Sequence, residues 1–431
     1  MNKIEWQNKC FSVYCLAGLL RLLSDHKKTA VQLRAVQEQR IRRLIKRAYE
    51  VPFYKRRFDQ AGVRPEEIRT KKDLAKLPVL TKAEYREWMR VENQNPAAKY
   101  FKRTTTSGST GIPITNIYPP NEYAMQYAIH LFGWLRGGYN PFTGKTLTQE
   151  AADEQVGMHM LVQRMGILRR ACFQTGWERE QIIDKIRTYQ PDMIESNNAE
   201  LMYIAQYSME HGLIFPKPRF YTAIGENIDA VSFRTMQKIY GDGLFSFYGC
   251  SEMATAAIRY PGKTRFEVLE DIAAVTVREH GKMLEEGTGS LLMTSLYRMQ
   301  YPMINYEVGD LGVLKIHRGR DYIQKIISRQ NDMFVWKSGK KTTWRRLYRL
   351  TKNLEDIFQI RFIQESYTLV RIQIVKDVHS VKSEKELEHQ ISFLLRKEFD
   401  QGVVLTYQWL KDMPPDPNGK IRNMICMVKG S

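Results

Sequence analysis

Helical and strand-like stretches alternate through the middle of the chain, and this alternation limits the fold more than any other feature. Helical patterns cover residues 181–189 and 200–211, and runs of β-branched or aromatic residues predict strands at 219–224 and 244–248. Strands separated by helices favour parallel pairing, because a parallel neighbour is reached only through a long crossover connection. The sequence therefore predicts an α/β fold with mostly parallel sheets flanked by helices.

The pattern of predicted secondary structure changes after Gly289. Short strands are predicted at residues 290–295, 312–316, 369–375 and 403–409, with a helix at 382–398. A boundary is expected within residues 328–332. The sequence thus predicts a large N-terminal domain of residues 1–328 and a small α+β domain of residues 329–431.

The first 90 residues form a helical segment of the larger domain. Apolar residues recur at helical spacing over 31–57, and Pro52 interrupts the helix there. Thr81 is placed to cap the N-terminus of another helix. An aromatic helix is predicted further on, at residues 121–138.

The chain is strongly basic, with a net charge of +19 over 431 residues. Residues 1–100 alone hold 23 Lys and Arg against 11 Asp and Glu, a difference of +12. Such an excess attracts polyanions, although a solvated basic surface is the simpler interpretation. No helix-turn-helix, RRM or zinc-finger pattern is present, so a nucleic-acid partner is not expected. The five cysteines are scattered without a CxxC pair, which favours a reduced, cytoplasmic protein without a zinc site.

Residues 10–20 are the one candidate for membrane contact. Their apolar run is about half of the ~20 residues that span a bilayer, and no cleavage site follows it. A helix that packs on the body of the protein is the expectation. Peripheral contact between the basic N-terminal segment and a membrane is the second interpretation.

The stretch TTTSGSTGIPI, residues 104–114, resembles a phosphate-binding loop but contains no lysine. A Walker A loop needs four residues between its glycines and a Lys after the second, whereas Gly108 and Gly111 are only three apart and Ile112 follows. Hydroxyls and exposed backbone N–H groups can still surround phosphate without a lysine. Taken alone, the stretch fits a phosphate site and a flexible surface loop equally well.

Three further motifs are weak individually. In FYGCSEM, residues 247–253, Tyr248 can stack on a base, Gly249 allows close backbone approach, and Glu252 offers a hard oxygen ligand for Mg²⁺. In INYEVGDLG, residues 304–312, the Asp310 carboxylate can accept hydrogen bonds from both ribose hydroxyls. In PDPNGKIR, residues 415–422, a turn presents Lys420.

In this order and spacing, the four motifs resemble those of the adenylate-forming superfamily, which includes acyl-CoA synthetases and peptide-synthetase adenylation domains. The chain is most similar to the phenylacetate–CoA ligase branch, together with its relatives from capsular polysaccharide gene clusters. The resemblance covers nearly the whole chain. Besides the motifs, it includes residues 42–62, 77–87, 190–206, 223–228, 289–312 and 328–334.

The resemblance implies a role for each matching residue. The phosphate loop would be Thr106, Ser107, Gly108, Ser109, Thr110 and Gly111, with Gly225, Glu226, Tyr248 and Gly249 at the adenine, Asp310 and Arg329 at the ribose, Ser251 and Glu252 at phosphate and Mg²⁺, and Lys420 between carboxylate and α-phosphate. Asn331 falls on the hinge about which the family's mobile C-terminal domain rotates. ATP, Mg²⁺ and CoA are the implied cofactors and co-substrates, and a homodimer is a further expectation.

The implied reaction joins a carboxylic acid to AMP with release of pyrophosphate, and then transfers the acyl group to CoA. Two departures keep alternatives open. Asn331 replaces the usual acidic hinge residue, and Gly339 is followed by KKTTWRRL, with Trp344 where the family has proline. Transfer to an amine, including an amino sugar, and a catalytically weak nucleotide-binding homologue are therefore alternatives. An aromatic or apolar acid would suit the aromatic helix after the phosphate loop, although simple core packing explains that helix equally well.

Overall fold

The computed structural model describes residues 3–99, 101–105, 114–150, 163, 165–174, 177–224, 230–329, 333–351, 354–414 and 422–428. The chain forms two compact units, each built from two stretches of sequence. The first unit consists of Met1–Asn140 and Ser246–Ile327, and the second of Pro141–Phe245 and Ser328–Ser431. The predicted division into domains of residues 1–328 and 329–431 stays a prediction, since the second unit also includes Pro141–Phe245.

The described α-helices follow the predicted apolar patterns closely. They are α1 (Lys3–His26), α2 (Ala30–Tyr49), α3 (Pro52–Ala61), α4 (Lys82–Glu92), α5 (Pro120–Arg136), α6 (Arg179–Tyr189), α7 (Asn198–Glu210), α8 (Ala230–Tyr240), α9 (Trp344–Thr351) and α10 (Glu384–Leu395). Pro52 separates α2 from α3 and is the first residue of α3, where its missing N–H group costs no helical hydrogen bond. The Thr81 hydroxyl caps α4 by accepting from the backbone N–H of Glu84, as predicted.

Some of the described strands are joined by short connections and others by helices. They are β1 (Lys102–Thr105), β2 (Thr115–Tyr118), β3 (Lys145–Glu150), β4 (Arg169–Gln174), β5 (Met193–Asn197), β6 (Phe220–Ile224), β7 (Leu244–Cys250), β8 (Ala254–Arg259), β9 (Phe266–Val268), β10 (Ala273–Glu279), β11 (Lys282–Leu284), β12 (Gly287–Ser295), β13 (Met303–His317), β14 (Arg320–Arg329), β15 (Met333–Val335), β16 (Lys341–Thr343), β17 (Ile357–Ser366), β18 (Leu369–Lys376), β19 (Val404–Trp409) and β20 (Met424–Cys426).

Parallel pairing is found in the second unit, in the region where helices and strands alternate. Strands β4, β3, β5, β6 and the start of β7 lie side by side, and each adjacent pair is parallel. Helices α6 and α7 bury Ile182, Ile186, Leu201 and Ile204 in the same cluster as Tyr221 of β6. This layer of helices on a parallel sheet confirms the predicted α/β class.

The first unit differs from the expectation of mostly parallel sheets. Its strands follow the order β11-β10-β12-β13-β14-β9-β8-β7, and the pairs of β10 with β11 and β12, of β12 with β13, and of β8 with β7 and β9 are antiparallel. Successive strands here are joined by connections of a few residues. Such connections suit antiparallel neighbours, whereas parallel ones need a crossover.

The last hundred residues form the predicted α+β arrangement. Strands β19, β18, β17 and β20 make a four-stranded sheet in which β17 and β18 are antiparallel and the two outer strands pair in parallel. Leu387, Ile391 and Leu395 of α10 are buried against this sheet.

Helix α1 packs on the body of the protein, as the sequence predicts. Cys15, Leu19 and Leu22 are buried, and the Phe11 ring lies 5.1 Å from that of Tyr127 on α5. Over the described residues, no helix combines the length and apolar character that crossing a bilayer requires.

Candidate active site

Two residues to which the sequence assigns nucleotide contacts are joined directly. Tyr248 lies near the end of β7, and Asp310 lies in β13, 62 residues further along the chain. The Tyr248 hydroxyl donates a hydrogen bond to Asp310 Oδ2 over 2.9 Å. Tyr248 is buried and Asp310 is half-buried, so one edge of the carboxylate is fixed while the residue still reaches the surface.

Glu252 is held by a second residue of β13. Its side chain is buried, and Oε1 accepts a hydrogen bond from the Tyr306 hydroxyl over 2.8 Å. Burial, and then the neighbouring Glu252 carboxylate, raise the pKa of Tyr306 above its ordinary value. The tyrosine therefore remains a neutral donor, and the carboxylate has a fixed orientation.

Ser251 connects this turn to the β1–β2 hairpin. Its carbonyl oxygen accepts hydrogen bonds from the Tyr118 hydroxyl and from Asn116 Nδ2, the latter over 3.3 Å. Thr105 and Thr115 face each other at the open end of the hairpin, with their hydroxyl oxygens 3.2 Å apart. The predicted phosphate loop, residues 106–111, belongs to the stretch between them and lies outside the described residues. Strand β2, which follows that stretch, thus lies against Ser251.

Arg298 organises the site, and the sequence argument did not single it out. Its guanidinium is fully buried and donates to the carbonyl oxygens of Glu252 and Ile117 and to the Tyr85 hydroxyl. Its Nε lies 3.7 Å from the carboxylate of Glu122. One cation therefore joins the Glu252 turn, strand β2 and helix α4. The only signal in the sequence is an arginine within the apolar stretch 291–304.

Gly249 has a structural role besides its predicted one at a nucleotide, which stays a prediction. The pairing of β7 with β8 is irregular between Tyr248 and Gly249. A Cβ atom added to Gly249 would lie 1.8 Å from the carbonyl oxygen of Ala254. The neighbouring strand occupies the space of a side chain, so this backbone contact by itself requires glycine.

The aromatic helix is explained by packing. On α5, the rings of Tyr123 and Tyr127 contact Phe11 of α1. His130 stacks on Phe247 with 4.5 Å between ring centroids, and burial lowers its pKa to about 4, so the imidazole is neutral. These contacts favour the core-packing interpretation of α5 over an acyl pocket.

The remaining predicted residues lie in the second unit, and their roles stay predictions. Arg329 is the last residue of β14. Gly225, Glu226, Asn331 and Lys420 fall outside the described residues.

The described carboxylates are compatible with one kind of metal site. No group of three or more His, Cys, Asp or Glu residues is arranged for a metal ion within the part of the chain that the structure describes. Mg²⁺, however, is often bound by one or two carboxylates together with substrate phosphates. Glu252 fits that requirement, because Tyr306 orients its carboxylate and the preceding residue, Ser251, contacts β2, the strand that follows the predicted phosphate loop.

Sequence comparison finds one matching family model and several relatives. The model of the CapK C-terminal domain matches residues 334–426. Phenylacetate–coenzyme A ligase from Pseudomonas putida is 27% identical over 347 residues, covering 73% of this chain and 75% of the relative. The enzyme of the same name from Escherichia coli K12 is 27% identical over 340 residues, covering 70% and 72%. The chain is therefore similar in sequence to phenylacetate–coenzyme A ligases over about 70% of its length.

Solved structures confirm the fold. A 2-hydroxyisobutyryl-CoA ligase in the postadenylation state, in complex with R3-HIB-AMP, superposes with a TM-score of 0.74 at 19% identity, covering 93% of this chain and 90% of the other. An anthranilate CoA ligase in complex with anthranoyl-AMP gives 0.53 at 13% identity, covering 74% and 65%. The sequence relatives, which are named phenylacetate–coenzyme A ligases, agree with the predicted enzyme class, an AMP-forming carboxylate ligase.

The contact at Gly249 predicts a loss of stability that is independent of any ligand. Gly249→Ala should lower the free energy of unfolding by about 3 kcal/mol, because the new methyl group must displace the β8 backbone. Urea denaturation without nucleotide measures this. Gly262→Ala is the matched control, since Gly262 has φ +71° with no atom within 4 Å of an added Cβ. The control should lose only about 1 kcal/mol from backbone strain. A Gly249→Ala protein of normal stability that fails to bind nucleotide would contradict the structural role.

Proposed function

We propose that the chain activates a carboxylic acid with ATP and transfers the acyl group of the resulting acyl-adenylate to CoA. The observation that carries this proposal is the hydrogen bond between Tyr248 and Asp310. Two motifs to which the resemblance assigns adenine and ribose meet there, and Tyr306, on the same strand as Asp310, orients the Glu252 carboxylate. The curated relatives, which are named phenylacetate–CoA ligases, support the same chemistry.

In the first half-reaction, a carboxylate oxygen of the acid attacks the α-phosphorus of ATP. A new P–O bond forms, the bond to the β-phosphate oxygen breaks, and pyrophosphate leaves with that electron pair. Tyr248 would pack on adenine, and the Asp310 carboxylate would accept hydrogen bonds from the ribose hydroxyls. Thr106, Ser107, Gly108, Ser109, Thr110 and Gly111 would bind the departing phosphates.

The charge that develops in this step needs cations, because two anions are brought together. Glu252 would hold Mg²⁺, which supplies charge neutralisation at the phosphates when bound. Lys420 would bridge the carboxylate and the α-phosphate, and Ser251 would contact phosphate. Gly225 and Glu226 would border the adenine, Arg329 would bind the ribose, and Asn331 would serve as the hinge.

In the second half-reaction, the thiolate of CoA attacks the acyl carbon, and AMP leaves with the electrons of the mixed-anhydride bond. The names of relatives and neighbours suggest candidate acids. Phenylacetate, 2-hydroxyisobutyrate and anthranilate belong in a first panel. An aromatic or apolar acid is supported by the phenylacetate–CoA ligases, and no longer by the aromatic residues of α5.

Acid-dependent exchange of labelled pyrophosphate into ATP tests the adenylation step. At least one acid of the panel should support exchange, and Lys420→Ala should reduce its rate by about 10²–10³-fold, the usual cost of removing one group that stabilises the transition state. Lys411→Ala is the control on the same segment, because the Lys411 side chain is exposed. It should exchange like the unchanged chain.

If no acid of the panel supports exchange, the nucleotide-binding homologue is favoured over the ligase. Lys420→Ala with unchanged exchange would contradict the assignment of the lysine.

The acceptor is tested separately with the acid that exchanges best. Formation of a thioester, detected by mass spectrometry after adding CoA, is expected to exceed amide formation with glycine or glucosamine by at least about tenfold, a difference of ~1.4 kcal/mol in activation free energy. Amide as the dominant product would show that the acceptor is an amine and not CoA. If exchange occurs but neither the thioester nor an amide forms, CoA and these two amines are excluded as acceptors.

We also propose that α1 contacts an anionic membrane surface. Val13, Tyr14, Leu16 and Leu20 expose between 43% and 66% of their surface on one side of this helix. The surrounding segment carries the +12 charge of residues 1–100. Apolar side chains on an exposed helix within a basic segment are the features that bind interfacial helices to anionic lipids.

Co-sedimentation with vesicles measures this contact. The chain should sediment with vesicles of phosphatidylcholine and phosphatidylglycerol but not with pure phosphatidylcholine, and a double change of Leu16→Ser and Leu20→Ser should reduce binding by about tenfold through lost burial of apolar surface. Val31→Ser is the control, because Val31 is exposed but lies on α2. Unchanged binding by the double variant would contradict the proposal. A dimer in analytical ultracentrifugation that the same double change dissociates would instead assign this face to self-association.

A further inference from the structure

Arg361 connects the two ends of the segment that carries the predicted catalytic lysine. It lies on β17 and is 4% exposed. Its Nη2 donates to the carbonyl oxygen of Pro414 over 2.7 Å, and its Nε donates to the carbonyl oxygen of Arg422 over 2.7 Å. Pro414 and Arg422 flank residues 415–421, which include Lys420.

Contacts within the four-stranded sheet hold Arg361 in place. Its Nη1 donates to Gln373 Oε1 on β18 over 3.2 Å, and Gln373 in turn donates to Gln408 on β19 over 2.9 Å. The next residue, Phe362, pairs with Met424 of β20. The guanidinium is therefore fixed by its position on β17, by its hydrogen bond to Gln373, and by the pairing of β17 with β20.

The stretch just before the segment is fixed as well, on helices α6 and α7. Gln206 Nε2 donates to the carbonyl oxygen of Lys411 over 2.8 Å, and the Tyr203 hydroxyl donates to that of Met413. Arg179 forms an ion pair with Asp412 over 3.1 Å. These contacts stop at Met413, so Arg361 is the described group that reaches both Pro414 and Arg422.

We propose that Arg361 is a positioning residue that sets the placement of Lys420 for adenylation. The inference assumes the proposed function. An arginine suits the task because its planar fork can donate to two carbonyl oxygens in fixed directions, whereas a lysine ammonium presents one point of charge. A displacement of about 1 Å in a catalytic group can cost about 10²-fold in rate, so the spacing of the two ends matters to the chemistry.

The first experiment tests the connection without using activity. Trypsin cleavage after Lys420, followed by mass spectrometry in native buffer, should be about tenfold faster in Arg361→Gln than in the unchanged chain, because cleavage follows local opening. Arg371→Gln is the matched control. Arg371 lies on β18 and pairs with Glu365, without a contact to Pro414 or Arg422 among the described residues. Equal cleavage rates in the unchanged chain and in Arg361→Gln would overturn the inference.

The second experiment links the connection to Lys420. Arg361→Gln should reduce pyrophosphate exchange by about 10–10²-fold, whereas in a Lys420→Ala background the same change should alter exchange by less than about twofold. Arg361→Lys keeps the charge but loses the forked arrangement of donors, and it should give an intermediate exchange rate. This variant keeps the test decisive if Arg361→Gln fails to fold. Independent, multiplicative losses in the double variant would show a general structural role and overturn the inference.

The two experiments separate this inference from the proposed function. If no acid supports exchange in the unchanged chain, the proposed function fails, and with it the catalytic part of the inference. The cleavage rates would then still decide whether Arg361 holds the segment.

Discussion

The buried guanidinium of Arg298 is the contact on which the described part of the site depends. A cation without water must be surrounded by acceptors, and here they are the carbonyl oxygens of Glu252 and Ile117 together with the Tyr85 hydroxyl. The requirement to satisfy one guanidinium therefore fixes the distance between the turn after β7 and the strand that follows the phosphate loop. Glu122 neutralises part of the charge from α5.

The N-terminal helical segment supports the same site from the other side. Leu80 exchanges backbone hydrogen bonds with β13, donating to Asn305 and accepting from Glu307, each over 3.0 Å. Tyr306 lies between these two residues and presents its hydroxyl to Glu252. A segment far from the motifs in sequence thus pairs with the strand that presents Tyr306 to Glu252.

Much of this was accessible from the sequence, because local patterns report local structure. The α/β class, the capped start of α4 and the break at Pro52 follow from apolar periodicity, hydroxyl caps and proline sterics. Antiparallel pairing in the first unit was missed. The relative direction of two strands follows from the length of the connection between them, and that length is known only when the strand ends are predicted correctly. Arg298 was missed for a different reason. Its partners Ile117 and Tyr85 are 181 and 213 residues away, and no local pattern encodes such contacts. The role of Gly249 was assigned to a ligand, whereas the carbonyl of Ala254 already requires glycine there.

The two loops that would handle phosphate share one structural principle. Each is a short stretch rich in glycine, proline or small polar residues. Beside the first stretch, Asn116 and Tyr118 of β2 donate to the carbonyl oxygen of Ser251, and beside the second, Arg361 donates to those of Pro414 and Arg422. The residues that flank each stretch are therefore held by side chains that meet partners distant in sequence. Local sequence patterns do not encode such contacts, so the flanking positions could be found only from the structure.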